Sequence, residues 1–164
     1  MIVISDTTPI ITLSKIKRLD LLQKLFENIM IPKAVYNELT SNIQFQNEAE
    51  AIMNAKYIKV VDVHDEKSVE LLRRATGLDL GESEAIIYTD DCKAELLLID
   101  EVKGRKVAKQ MGLSVMGTVG ILMSAYEEKL ISADEIREYI ITMKEAGRHI
   151  SDKLYAQLLE LIGE

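Results

Sequence analysis

Three short stretches of this chain are apolar without interruption: Ile2-Val3-Ile4, Ile29-Met30-Ile31 and Leu96-Leu97-Leu98-Ile99. A strand with one wet face alternates polar and apolar residues, so runs without alternation mark strands covered on both faces, as in a parallel sheet. Further strands are expected at 58–63 and 113–115. The segments between them carry apolar residues at helical spacing, as in Leu19, Leu21, Leu22, Leu25 and Phe26. Strands and helices alternate to about residue 130. That order implies right-handed crossovers and a mostly parallel sheet with helices on both faces, an α/β fold. Residues 131–164 read as an all-helical extension.

Punctuation supports the same division. Asp6-Thr7-Thr8-Pro9 reads as a strand end followed by a helix start, because Asp or Thr caps a helix and proline suits its first turn. Pro32 opens another helix. Helices are expected at 46–55 and 68–76, and Gly77-Leu78-Asp79-Leu80-Gly81 is a loop feeding a helix at 82–89. Later helices are expected at 102–111, 119–128, 133–144 and 152–162. Ser132 with Glu135 three residues on is a capping box, and Ser151 precedes the Leu154, Leu158, Leu161 stripe. Gly112, Gly117 and Gly120 fit neither dinucleotide nor P-loop spacing and read as turn and close-packing positions.

Composition narrows the function classes. Cys92 is the one cysteine, so no intramolecular disulfide forms, and with only His64 and His149 there is no Cys/His set for structural zinc. A reducing cytoplasm fits. No apolar run reaches the ~18 to 20 residues of a membrane span, and Met1 to Ser5 lead into Asp6 without the features of a signal peptide, so a soluble, unprocessed chain is expected. No Gly-x-Ser-x-Gly elbow is present, and neither histidine has an evident nucleophile partner, which argues against triad hydrolysis. A net charge of -7 argues against coating nucleic acid by charge alone. It leaves room for a nuclease, because such enzymes gather carboxylates around divalent cations.

In a parallel α/β sheet, ligands bind beyond the carboxyl ends of the strands. Asp6 and Asp100 each stand directly after an apolar run there. If those strands are neighbours, the two carboxylates converge. Glu82, at a helix start, and Glu38, in the helix opened by Pro32, are placed to project toward the same edge. Four such acids repel one another without a cation, and an all-oxygen donor set selects a hard ion, Mg²⁺ or Mn²⁺, outlining a phosphodiesterase site. Each acid also has a structural reading: Asp6 and Asp100 as helix N-caps, Glu82 as a first-turn acid favoured by the helix dipole, and Glu38 on a wet face.

The segments Ile4-Ser5-Asp6-Thr7-Thr8, Pro32-Lys33-Ala34-Val35-Tyr36-Asn37-Glu38-Leu39, Gly81-Glu82-Ser83-Glu84-Ala85 and Leu98-Ile99-Asp100-Glu101 resemble the PIN domain family. With Gly112-Leu113-Ser114-Val115-Met116-Gly117-Thr118-Val119-Gly120, the chain resembles a prokaryotic branch of that family over residues 1–130. The resemblance implies a three-layer α/β/α sandwich with a Rossmann-like sheet. It also implies metal-dependent cleavage of single-stranded RNA, in many members as the toxin of a toxin–antitoxin pair. Carried over by position, the metal ligands for Mg²⁺ or Mn²⁺ are Asp6, Glu38, Glu82 and Asp100, with Thr7 as the hydroxyl beside the first aspartate. Glu84 competes with Glu82 for the third place. Leu98 stands where the family usually has a hydroxyl residue.

Beyond Asp100, the charges Lys103, Arg105, Lys106 and Lys109 recur at helical spacing. They read either as a solvated basic face or as a phosphate track leading RNA to the acids, a surface to which Lys15, Lys17 and Arg18 would add. The stripes Ile136, Tyr139, Ile140, Met143 and Leu154, Leu158, Leu161 must pack on the domain, on a second copy in a homodimer, or on an antitoxin. The alternative function is a PIN scaffold that binds RNA or protein without cutting.

Overall fold

The uninterrupted apolar runs are the inner strands of one sheet in the computed structural model, which describes residues 1–148 and 150–163. Strands β1 (Val3–Ser5), β2 (Ile29–Pro32), β3 (Ile58–Val61), β4 (Leu96–Leu98) and β5 (Val115–Met116) lie in the order β3-β2-β1-β4-β5. Every pairing is parallel. Among the described residues ten α-helices surround the sheet: α1 (Thr7–Lys15), α2 (Asp20–Phe26), α3 (Lys33–Ser41), α4 (Gln46–Asn54), α5 (Glu66–Thr76), α6 (Leu80–Asp91), α7 (Val102–Gln110), α8 (Thr118–Glu127), α9 (Ala133–Glu145) and α10 (Asp152–Leu161).

Side chains from successive strand residues enter two separate cores, which is the physical content of the missing alternation. Val3, Ile29, Ile31 and Leu98 point into one, with Ile10 and Leu13 of α1, Leu22 of α2 and Leu122 of α8. Ile4, Leu97 and Ile99 point into the other, with Ala85 and Ile86 of α6 and Ala108 of α7. The molecule is a three-layer α/β/α sandwich. Helices α9 and α10 add to the first core through Ile136, Tyr139, Ile140, Met143, Tyr155 and Leu158. Among the described residues no helix is long and apolar enough to cross a membrane.

Element boundaries differ from the sequence expectation where a cap intervenes. Helix α6 starts at Leu80 rather than at 82, because the Asp79 carboxylate accepts the Glu82 amide at 2.8 Å. Asp65 likewise starts α5 two residues early by accepting the Ser68 amide. β5 comes later than 113–115: Gly112 (φ +83°) and the Leu113 amide, bonded to the Ala108 carbonyl, close α7 before the strand can begin. β3 ends at Val61 and not at 63, since the chain turns where the Glu66 amide meets the His64 carbonyl. Gly117 and Gly120 are close-packing positions, where an added Cβ would lie 2.7 Å from Asp100 Oδ1 and 2.7 Å from Met116 Cγ respectively.

Two of the basic residues considered for an RNA surface are tied into the fold instead. Lys15 pairs with Glu48 at 2.8 Å, joining α1 to α4. Arg18 reaches Asp20, Glu135 at 3.0 Å and the Tyr139 hydroxyl at 2.6 Å, fastening α9 to the α1–α2 turn.

Candidate functional site

The chain runs outward from β1 to β2 and β3, then returns to place β4 on the other side of β1. The crevice at such a switch point is where parallel α/β sheets bind ligands. β1 and β4 pair with Ser5 opposite Leu98, and the Asp6 amide donates to the Leu98 carbonyl at 2.9 Å. The two candidate aspartates therefore leave adjacent strands on the same edge.

Asp6 occupies the N-cap position of α1, yet its side chain makes no capping bond, and the residue is only 4% exposed. Its N-cap reading is thus not realised. Thr7, also buried, donates its hydroxyl to Glu38 Oε2 at 2.9 Å and ties α3 to the start of α1. The first turn of α6 lies against α3: a Cβ at Gly81 would sit at ordinary contact distance, 3.6 Å, from both Glu38 Oε2 and Asp79 Oδ1. Glu82, one residue on, comes within electrostatic reach of Asp6, Asp79, Glu101 and Glu38.

Burial and like charge act together on this group. Burial pushes the Asp6 carboxyl up to about 8; the Thr7 backbone amide opposes the shift, and the charges of Glu82, Asp79 and Glu38 add to it. Glu82 is pushed up to about 7 by burial and by the charges of Asp79, Glu101 and Glu38, against a bond from the Asp79 backbone. Among the described residues no cationic side chain is one of the main influences on either acid.

The alternatives left open between Glu82 and Glu84 separate in space. Glu84 Oε1 accepts the Ala34 amide at 3.2 Å, so this side chain serves the exposed first turn of α3. Glu82 is the one that shares surroundings with Asp6.

Asp100 has different company. Its Oδ1 accepts the Thr118 amide at 2.7 Å and its Oδ2 accepts the Thr118 hydroxyl at 2.6 Å, so it caps α8 rather than α7, the next helix in sequence. Glu101 caps α7, accepting the Gly104 amide at 2.8 Å. Burial raises the Asp100 carboxyl, while the two Thr118 bonds and the charges of Arg105 and Arg148 pull it back. Among the described residues no three Asp, Glu, His or Cys side chains are already gathered tightly enough to chelate an ion.

On α7, Lys103, Lys106 and Lys109 are exposed. Lys106 and Lys109 line a shallow hollow with Val102 and Arg105. Lys103 instead brings its ammonium to Gly77, at the end of α5. Arg105 is half-buried and donates Nη1 to the Ile99 carbonyl at 3.0 Å, so it braces the end of β4 as well as facing the hollow. Sequence reasoning missed Asp79 and Thr118. Asp79 carried a signal, the cap-to-N3 spacing to Glu82; Thr118 lies 18 residues from Asp100 and carried none.

Residues 2–164 match a protein-family model described as a PIN domain. No curated protein sequence matches the chain significantly.

Proposed function

Because the chain belongs to the PIN domain family, we propose that it is a divalent-cation-dependent endoribonuclease acting on single-stranded RNA, with Asp6, Glu38, Glu82 and Asp100 as its acidic residues. The observation that carries this reading is Asp6: a buried carboxyl with no capping bond, set among the charges of Glu82, Asp79 and Glu38, with no basic side chain among the main influences on it from the described residues. Burial among like charges favours the protonated acid until a counter-charge arrives, and among the described residues the side chains acting on Asp6 are oxygen donors, which suits Mg²⁺ or Mn²⁺.

Asp6, Glu38 and Glu82 would hold the cation, and Asp100 would complete the acidic rim across the β1–β4 junction. Mg²⁺ is held by one or two carboxylates plus waters and substrate phosphate, so it does not require three of these acids gathered into one cluster. When bound, such an ion lowers the pKa of a water nucleophile and stabilises charge on the scissile phosphate. The chain's own groups do the rest. Thr7 fixes the rotamer of Glu38 through its hydroxyl. Thr118 fixes both oxygens of Asp100. Lys106 and Lys109 offer cations to the RNA backbone on the approach along α7.

The test is Mn²⁺ binding by calorimetry on the wild-type protein and on Asp6→Asn. Binding that the substitution removes supports the reading, and absence of binding in the folded wild type overturns it. A non-cutting RNA scaffold is the second reading. RNA binding without cleavage by a folded wild type that binds no Mn²⁺ is the outcome that this second reading expects.

A further inference from the structure

Arg105 lines two hollows. One is the open basic surface of α7, shared with Lys106 and Lys109. The other is a more enclosed cavity of about 400 Å³ behind Asp100, walled by Met116, Met123, Leu154 and Gln157. The second lies where β5, α8 and α10 meet, so the last helix of the chain forms part of its wall. Gly117 keeps it open on the Asp100 side, since an added Cβ there would lie 2.7 Å from Asp100 Oδ1 and 3.1 Å from Arg105 Nη1.

We propose that this cavity is a specificity pocket for one unstacked base of the RNA strand, entered from the α7 surface past Arg105. The inference rests on the nuclease reading and names where that enzyme would read sequence. At about 400 Å³ the cavity falls in the lower part of the ~300 to 1,000 Å³ range of small-ligand sites, which suits one nucleoside and excludes a duplex. Proteins read single-stranded RNA by splaying bases out, stacking them on flat groups such as guanidinium, and bonding their edges. Arg105 supplies a planar guanidinium held in place by its bond to Ile99. Met116 and Met123 supply thioethers, which pack favourably at aromatic ring edges. Gln157 carries a donor and an acceptor on one amide, the equipment for a base edge. A base held here leaves its phosphate beside Asp100 at the acidic rim.

Carbon-13 labelling of the methionine methyls reads the pocket without knowledge of the RNA target. The four nucleoside 5′-monophosphates are titrated with Mg²⁺ present, and the Met116 and Met123 methyls should shift while Met53, exposed on α4, stays still. Leu154→Trp should fill the cavity and abolish those shifts while leaving Mn²⁺ binding intact. Gln157→Ala, on the exposed side of α10, should change the ratio between the preferred and the weakest nucleotide by about fivefold, the worth of one net hydrogen bond. The pocket assignment is overturned if ribose 5-phosphate moves Met116 and Met123 as far as the nucleotides do. It is also overturned if no nucleotide moves them in a protein that binds Mn²⁺. Shifts at these methyls in a protein that fails to bind Mn²⁺ would support the pocket and sink the nuclease reading.

Discussion

The two aspartates that leave β1 and β4 start from adjacent strands and end in opposite electrostatic conditions. Asp100 has an N–H and an O–H from Thr118 on its two oxygens, with Arg105 and Arg148 within electrostatic reach. Asp6 is buried, uncapped and surrounded by Glu82, Asp79 and Glu38. A cap contributes to stability and is satisfied as it stands. An acid held among acids opposes folding, and such frustration is the usual mark of a site built for a ligand. Position after a strand therefore does not by itself separate the two roles; the partners do.

The largest effect expected from this contrast is on Asp6. Asp6→Asn should lower Mn²⁺ affinity and RNA cleavage by more than ~100-fold, the upper end of what an outer-shell change costs. The same variant should be more stable than wild type without metal, by on the order of 1 to 3 kcal/mol at pH 7, seen as a rise of roughly 3 to 10 °C in Tm. A metal-free Asp6→Asn protein that melts below wild type would remove the claim that Asp6 opposes folding.

At Asp100 the sign reverses. Asp100→Ala leaves the Thr118 amide and hydroxyl without their acceptor and should destabilise by about 1 to 3 kcal/mol in urea unfolding. Asp100→Asn keeps an acceptor and should lose less. Opposite signs at the two positions sharpen the contrast, and equal signs break it.

Solution pH probes the same difference more gently. Asp6 rises from 3.8 to about 8 and Glu82 from 4.5 to about 7, so the folded state holds more protons than the unfolded state between roughly pH 4 and 8. A raised acid contributes stability at low pH that is lost as pH climbs through that window. Metal-free wild type should therefore lose stability from pH 4 to 8, whereas Asp6→Asn combined with Glu82→Gln should show a flatter profile. Saturating Mn²⁺ should flatten the wild-type curve too, because it supplies the missing counter-charge.

Some of this was legible in the sequence for a definite reason. Both-face burial erases polar alternation, so Ile2-Val3-Ile4 and Leu96-Leu97-Leu98-Ile99 announced inner strands, and a parallel sheet places the residues just past their carboxyl ends, Asp6 and Asp100, on one edge. Choosing between Glu82 and Glu84 depends on how α6 packs against α3, a tertiary angle that no local pattern encodes. The pairing of Asp100 with Thr118 required knowing that β5 lies beside β4 and aims α8 back at it. Arg18 and Lys15 looked like free surface charge because their acidic partners come from α9 and α4, Glu135 and Glu48.

The smallest effect expected concerns Thr7, and it asks whether the Asp6 end is organised or merely crowded. The Thr7 hydroxyl bonds Glu38 Oε2 at 2.9 Å, and without it the Glu38 carboxylate is free to rotate away from Asp6, which relieves repulsion. Relief of that kind leaves stability nearly unchanged while removing one oriented oxygen from the cation's surroundings. Thr7→Val should accordingly weaken Mn²⁺ binding by about tenfold, the lower end for an outer-shell partner, with Tm within a degree or two of wild type. Thr7→Ser retains the hydroxyl and should restore affinity. If valine binds Mn²⁺ as tightly as serine does, the Thr7 hydroxyl does not position Glu38 for the cation, and the orienting role assigned to Thr7 is wrong.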